Sequence, residues 1–239
     1  MGSLVPAATS ILPAPPVSRP WLGEPSQPSR PNVPPGEDAI ETLRRAGQTI
    51  AVGRDETLFC EHEEADAVYV VVSGALRSSK MLPDGRRQII GFHEAGDLVG
   101  MTLADFYPYS AEGVTEVRLR RVGRRQLEDL MEATPQLRQL LLTLAARELA
   151  AAQRQMLLLG RKTARERLCS FLLERAHGTC RRIELPMSRT DIADYLGLTI
   201  ETVSRTLSQL RADGLIRMSS LHSLELADAD RLGDVAEAA

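Results

Sequence analysis

Long apolar runs are missing from this chain: 43% of its 239 residues are hydrophobic, yet no stretch approaches the ~20 consecutive apolar residues of a membrane span. The N-terminus also lacks a charged start followed by an apolar core, so no signal peptide is read, and a cytoplasmic protein with no membrane partner is expected. Cysteine is scarce. Cys60, Cys169 and Cys180 are scattered, form no Cys-x-x-Cys pair and are expected to be reduced. Lysine is nearly absent, Lys80 and Lys162 being the two present, so arginine supplies the positive charge. Missing too are a phosphate loop and any serine, histidine and acid constellation, so catalysis is not expected. His62-Glu63-Glu64-Ala65-Asp66 falls short of a zinc-protease motif, because Asp66 stands where the second histidine belongs, and no metal site is assigned.

The net charge of −3 argues against nucleic acid, but its distribution argues for it. Between positions 161 and 217 there are 11 Lys or Arg against 7 Asp or Glu, a local +4 that leaves −7 elsewhere. The same region holds the most informative stretch, 187–214. Ser188, with Asp191 three residues on, caps an amphipathic helix over 189–196. Gly197 supplies left-handed backbone for a tight stop, and Thr199 caps a second helix with apolar Ile200, Val203, Leu207 and Leu210 at helical spacing. Small Ala193, Gly197 and β-branched Val203 match the steep crossing of a helix-turn-helix.

On the second helix Glu201, Ser204 and Arg205 share one face opposite the leucines. An arginine fork fits the two acceptors of guanine, a carboxylate accepts from cytosine, and a serine serves several bases. Thr199, Thr202 and Arg189 lie near helix starts, where hydroxyls and charge suit phosphates. The competing reading makes Glu201 and Arg205 an ordinary i, i+4 surface ion pair.

Glu201-x-x-Ser204-Arg205 in this setting resembles the CRP/FNR superfamily of bacterial transcription regulators, and within it the FNR and FixK branch, over residues 47–226. The resemblance implies a homodimeric activator on double-stranded DNA, a palindrome with TTGA-type arms, contact with RNA polymerase through β-roll loops around residues 84–87, and microaerobic or anaerobic gene control. Oxygen-sensing relatives carry clustered N-terminal cysteines for an iron-sulfur centre, whereas residues 1–59 here have none.

Residues 1–36 hold 10 of the 14 prolines and read as a disordered tail. Residues 37–134 read as a β-roll domain, with short runs at 56–60, 67–72, 76–81, 87–93 and 114–122 separated by turn residues. The order Gly74, Gly85, Gly96-Asp97, Gly100 resembles a cyclic-nucleotide-binding fold. Nucleotide-binding relatives place a glutamate and an arginine where this chain has Met101 and Tyr109, so no cAMP binding and no cofactor are expected.

Residues 135–160 read as a long helix on which Leu142, Ala145, Leu149, Ala152, Met156 and Leu159 recur in steps of three and four, a dimerisation seam. Leu157 and Leu158 are expected to face the roll, and the competing reading is a single buried amphipathic helix. Residues 161–230 then form a winged helix-turn-helix with strands at 215–218 and 224–226, after which the acidic last dozen residues are expected to fray. The fold class is therefore α+β. Two further chemistries stay open. Cys180, beside Arg181 and Arg182, fits either a redox-sensitive thiolate or an inert buried thiol. His93 fits either a structural role or haem ligation, the latter belonging to an alternative in which a small molecule in the roll controls DNA binding.

Overall fold

The computed structural model describes residues 37–176, 181–220 and 222–237; the proline-rich tail and Cys180 lie outside them. The N-terminal half is a β-roll of two four-stranded antiparallel sheets. One orders β1 (Gln48–Val52), β8 (Val117–Gly123), β3 (Ala67–Ser73) and β6 (Leu98–Val99). The other orders β2 (Thr57–Phe59), β7 (Ser110–Gly113), β4 (Leu76–Met81) and β5 (Arg87–His93). Strand β3 lacks polar alternation because both its faces are covered. Ala67, Tyr69 and Val71 point into the roll, while Val68 and Val70 pack outward against α1 (Glu37–Ala46), α2 (Arg124–Ala133) and α3 (Pro135–Arg161).

Inside the roll, Phe59 stacks on Tyr107 with ring centroids 3.8 Å apart and also meets Tyr69 and Tyr109. The Tyr107 hydroxyl donates to the Ala67 carbonyl at 2.8 Å, which satisfies its polar end in an apolar setting. The chain leaves β3 through Gly74 at φ +85°, where an added Cβ would meet the Glu116 carbonyl oxygen at 2.2 Å. Gly74→Ala is expected to destabilise the fold by about 2 kcal/mol through left-handed strain and that backbone clash. The measurement is the urea midpoint, and an unchanged midpoint would refute this account.

Three elements follow the roll's long helix: α4 (Ala164–Arg175), α5 (Arg189–Leu196) and α6 (Ile200–Ala212). A three-stranded antiparallel wing orders β10 (Ile216–Met218), β11 (Ser223–Leu226) and β9 (Arg182–Glu184). One buried cluster, including Leu168, Phe171, Leu196, Val203, Leu210 and Leu224, holds this C-terminal module together.

Several expectations need correction. The acidic C-terminus does not fray: α7 (Ala229–Ala236) is capped by Asp228, buries Leu232 and Ala236, and packs on α4. The expected strand over 114–122 is shorter and follows a separate β7, because the amides of Val114 and Thr115 both turn back to the Ala75 carbonyl. Helices α1 and α2, on the other hand, were not anticipated. Leu157 does not face the roll and is 65% exposed, whereas Leu158 is buried against the C-terminal module.

Candidate nucleic-acid interface

The helix-turn-helix is built by local hydrogen bonds. The Ser188 hydroxyl accepts from the Asp191 amide at 3.0 Å and the Asp191 carboxylate accepts from the Ser188 amide at 3.0 Å, a reciprocal cap that starts α5. Gly197 ends it at φ 61°, ψ 42°, with the Leu198 amide donating to the Ala193 carbonyl at 3.0 Å. The Thr199 hydroxyl accepts from the Thr202 amide at 3.2 Å and starts α6.

On α6, Val203, Thr206, Leu207 and Leu210 are buried, so the rotation of the helix is fixed. Ile200 departs from the expected pattern. It sits in the first turn at 41% exposure and adds little to the core. Glu201, Ser204 and Arg205 are brought together on the solvent face, with exposed Thr199 and half-buried Thr202 at the helix start. Among the described residues no ion pair joins Glu201 to Arg205, so the surface-pair reading loses its main support. The Glu201 carboxyl is held below its ordinary pKa by its own backbone amide and then by the Thr199 hydroxyl. Arg189 stands apart from these five, at the start of α5, where it is half-buried and burial lowers its pKa.

Arg167 was not singled out in the sequence, yet it ties the module together. It donates to the carbonyls of Leu159, Lys162 and Leu196, each at 2.9 Å, which caps the ends of α3 and α5 with one guanidinium. No local pattern advertises such a residue. Cys169 is buried on α4, and desolvation pushes its thiol up to about 11, so it is a core residue without thiolate character.

The module docks on the roll through an aromatic group, Phe92 lying 5.4 Å from Tyr195 and 6.5 Å from Phe171, with Arg175 stacked 5.2 Å over Phe92. Arg175 also pairs with Glu94. Beside them His93 contacts the Ser78 hydroxyl at 3.0 Å, which occupies one ring nitrogen and favours the structural role over haem ligation. Burial, and then the Arg175 charge, push His93 down to about 4. A histidine kept neutral by the fold contributes stability that is complete above the unfolded value of about 6.5 and is lost as the pH falls toward 4. At pH 5 the loss is about 2 kcal/mol relative to pH 7. Asp97, Glu148 and Glu174 are shifted upward, chiefly by desolvation of their carboxyls, and act in the opposite sense. The test therefore compares urea midpoints of the protein and His93→Gln at pH 7 and pH 5; the variant should lose less on acidification, and parallel losses would refute the assignment.

On the long helix, Leu142, Leu149 and Met156 are 67%, 63% and 73% exposed, and Ala145 and Ala152 between them are also exposed. Leu159 stands apart from this row, being half-buried and packed against the C-terminal core.

Comparison with known proteins agrees with this anatomy. Residues 49–134 match the cyclic nucleotide-binding domain family and residues 166–235 the Crp-like helix-turn-helix domain family. The chain is 44% identical over 182 residues to the transcriptional activatory protein AadR of Rhodopseudomonas palustris, covering 74% of this chain and 76% of that protein. It is 44% identical over 210 residues to the nitrogen fixation regulation protein FixK of Azorhizobium caulinodans, covering 82% and 85%. The structure of FixK2 from Bradyrhizobium japonicum superposes with a TM-score of 0.77 at 42% identity, covering 81% of this chain and 98% of that one. A roll followed by a long helix and a winged helix-turn-helix, with identity of this level over most of its length, means that the chain belongs to the FixK- and FNR-type group of the CRP/FNR family, DNA-binding transcription regulators and not enzymes.

Proposed function

We propose that the protein is a transcriptional activator that binds a TTGA-armed palindrome as a homodimer, each subunit reading one arm with Glu201, Ser204 and Arg205. The observation that carries this is the single exposed face on which α6 presents those three side chains while its opposite face is locked in the core. Thr199, Thr202 and Arg189 are assigned to phosphates. The exposed row of Leu142, Ala145, Leu149, Ala152 and Met156 favours a helix pair over a helix satisfied within its own chain. The functional division is then roll at 37–134, dimer helix at 135–160, and a DNA-reading module from 161 that runs past the expected end at 230 through α7.

The roll acts as a scaffold and contact domain in this proposal. Tyr109, which the family resemblance sets against a phosphate-binding arginine, has its hydroxyl accepting from the Gly100 amide at 3.1 Å and its pKa raised to about 12 by burial, and Met101 packs among apolar residues. Neither group offers a cation to a cyclic nucleotide's phosphate, and the arginines that line the same cleft, Arg147, Arg154 and Arg175, stand on the helices and not on the roll. The hairpin around residues 84–87 is the proposed RNA polymerase contact, offered by its tip because Arg87 itself is turned to α5, and the cytoplasm under oxygen limitation is the proposed setting.

A second reading rests on a cleft of about 630 Å³ between the roll, α3 and the docked module, lined by Phe92, His93, Met101, Arg147 and Tyr195. A small molecule there would make DNA binding ligand-dependent. One titration separates the two: fluorescence anisotropy of ligand-free protein on the TTGA palindrome and on a duplex with both arms scrambled, at matched salt. Tight, arm-dependent binding supports the first reading. Binding that ignores the arms rejects it, and recovery of arm preference on adding cell metabolites would establish the second.

A further inference from the structure

The geometry points to a cluster of ion pairs between the roll and α5 as the device that fixes which half-site spacing the protein accepts. Arg77 on β4 donates to Glu112 at 2.9 Å and to Asp191 at 3.2 Å, and pairs with Asp55 at 3.0 Å. Arg87 on β5 donates to Asp191 at 2.8 Å and to Asp194 at 2.9 Å. Two guanidiniums on the roll therefore grip two aspartates on successive positions of one α5 face. Asp191 is 4% exposed and Arg77 7%, so the pairs are shielded from salt and their directions are enforced.

Asp191 performs two tasks at once. One carboxylate oxygen caps α5 through the Ser188 amide and hydroxyl, and the other receives both arginines. The arginines thus hold the backbone start of the helix-turn-helix itself. They act together with other directional contacts on the module: Gln88 and Gln155 donate to the Tyr195 carbonyl at 3.2 and 2.8 Å, Arg167 joins the ends of α3 and α5, and Arg175 pairs with Glu94, but only the two arginines of the roll reach the start of α5. The aromatic contacts of Phe92, Phe171 and Tyr195 are non-directional, and the link from α3 to α4 passes through the non-helical pair Lys162 and Thr163. With α5 gripped, α6 keeps one orientation relative to the dimer axis. One added base pair between arms moves a half-site by about 3.4 Å along the duplex and turns it by about 35°, which a rigidly held helix cannot follow.

This inference rests on the palindrome-reading dimer proposed above, and its test is arranged to fail separately. Arg87 and Asp194 are the partly exposed members, so Arg87→Met with Asp194→Asn loosens the grip while Arg77 still compensates Asp191. Anisotropy titrations use the native palindrome, versions with one and two base pairs inserted between the arms, and the scrambled duplex. The parent protein should lose at least about tenfold per inserted base pair, and the double variant less than about threefold, while its preference for TTGA arms over scrambled ones persists. Arg87→Lys, which keeps the charge but not the fork, should fall between the two and serves if the double variant does not fold. A variant that weakens equally on every duplex and keeps the parent's spacing penalty has lost stability alone, and that result overturns the inference. A parent that ignores the arms overturns the proposed function first.

Discussion

Arg205→Ala should weaken binding to the palindrome by about 2 to 6 kcal/mol, a loss of roughly thirtyfold to twenty-thousandfold, because each of two half-sites loses a bidentate contact of about 1 to 3 kcal/mol. The folded protein should not notice. Arg205 is exposed on α6, in no ion pair among the described residues, and its truncation leaves no buried partner unsatisfied, so the melting temperature should stay within the range of ordinary surface changes. The informative quantity is discrimination. Against a panel of palindromes substituted one base pair at a time in both arms, the variant should become indifferent at one position and retain its ranking at the others. Loss of a phosphate contact would instead weaken all sequences alike. Arg205→Lys should behave more like the alanine variant than like the parent, because an ammonium cannot present two parallel donors to one guanine edge. If Arg205→Ala lowers every duplex by the same factor, Arg205 is a phosphate ligand and the base-reading assignment must move to Glu201 and Ser204.

What could be read in the sequence follows the range of the interactions. The cap of α5 is written in a three-residue spacing, Ser188 to Asp191, and its end in a single glycine at 197, so the helix-turn-helix was legible from its own residues. The face of α6 was legible for the same reason. Contacts made across the chain were not. Arg77 and Asp191 lie 114 positions apart, and nothing near either residue marks it as half of a pair. Arg167 reads as one more arginine in a basic segment, although it closes three carbonyls at once. The terminal helix α7 was hidden by composition: its aspartates suggest a solvated end, but Asp228 is a cap and Leu232 and Ala236 form a buried stripe that only its packing on α4 makes worthwhile. The outward helices of the roll explain β3, whose continuous apolar run is covered on its second face by α1 and α3. Docking of the C-terminal module on the roll likewise needs the two surfaces together, and so the residues that orient the DNA-reading helix escaped a reading that had found the helix itself.

Leu149→Glu should abolish the dimer at any ordinary concentration. Leu142, Leu149 and Met156 are seven residues apart, one side chain per two turns, and Ala145 and Ala152 between them let a second helix approach closely. At the centre of such a pair Leu149 would meet its own copy across the two-fold axis. Each leucine there stabilises the pair by about 1.5 to 3 kcal/mol through burial. Two glutamates in its place would lose that gain and bring like charges together in a desolvated seam, at several kcal/mol per ion. Their sum, on the order of 5 to 10 kcal/mol, corresponds to a dimer dissociation constant raised at least about a thousandfold. Sedimentation velocity across a hundredfold range of concentration should find dimers for the parent and monomers for the variant, with an unchanged melting profile of the monomer fold. DNA binding reports the same event, since a monomer engages one arm, and affinity for the palindrome should fall by at least about a hundredfold while the same arm preference remains in the residue. Two controls fix the register. Leu149→Met keeps volume and apolarity and should remain dimeric. Leu157→Glu alters an equally exposed leucine one position out of the row and should also remain dimeric. Dimers that survive Leu149→Glu but not Leu157→Glu would rotate the seam by about 100° and reassign the partner face of the helix, while dimers that survive both would take dimerisation away from α3 altogether.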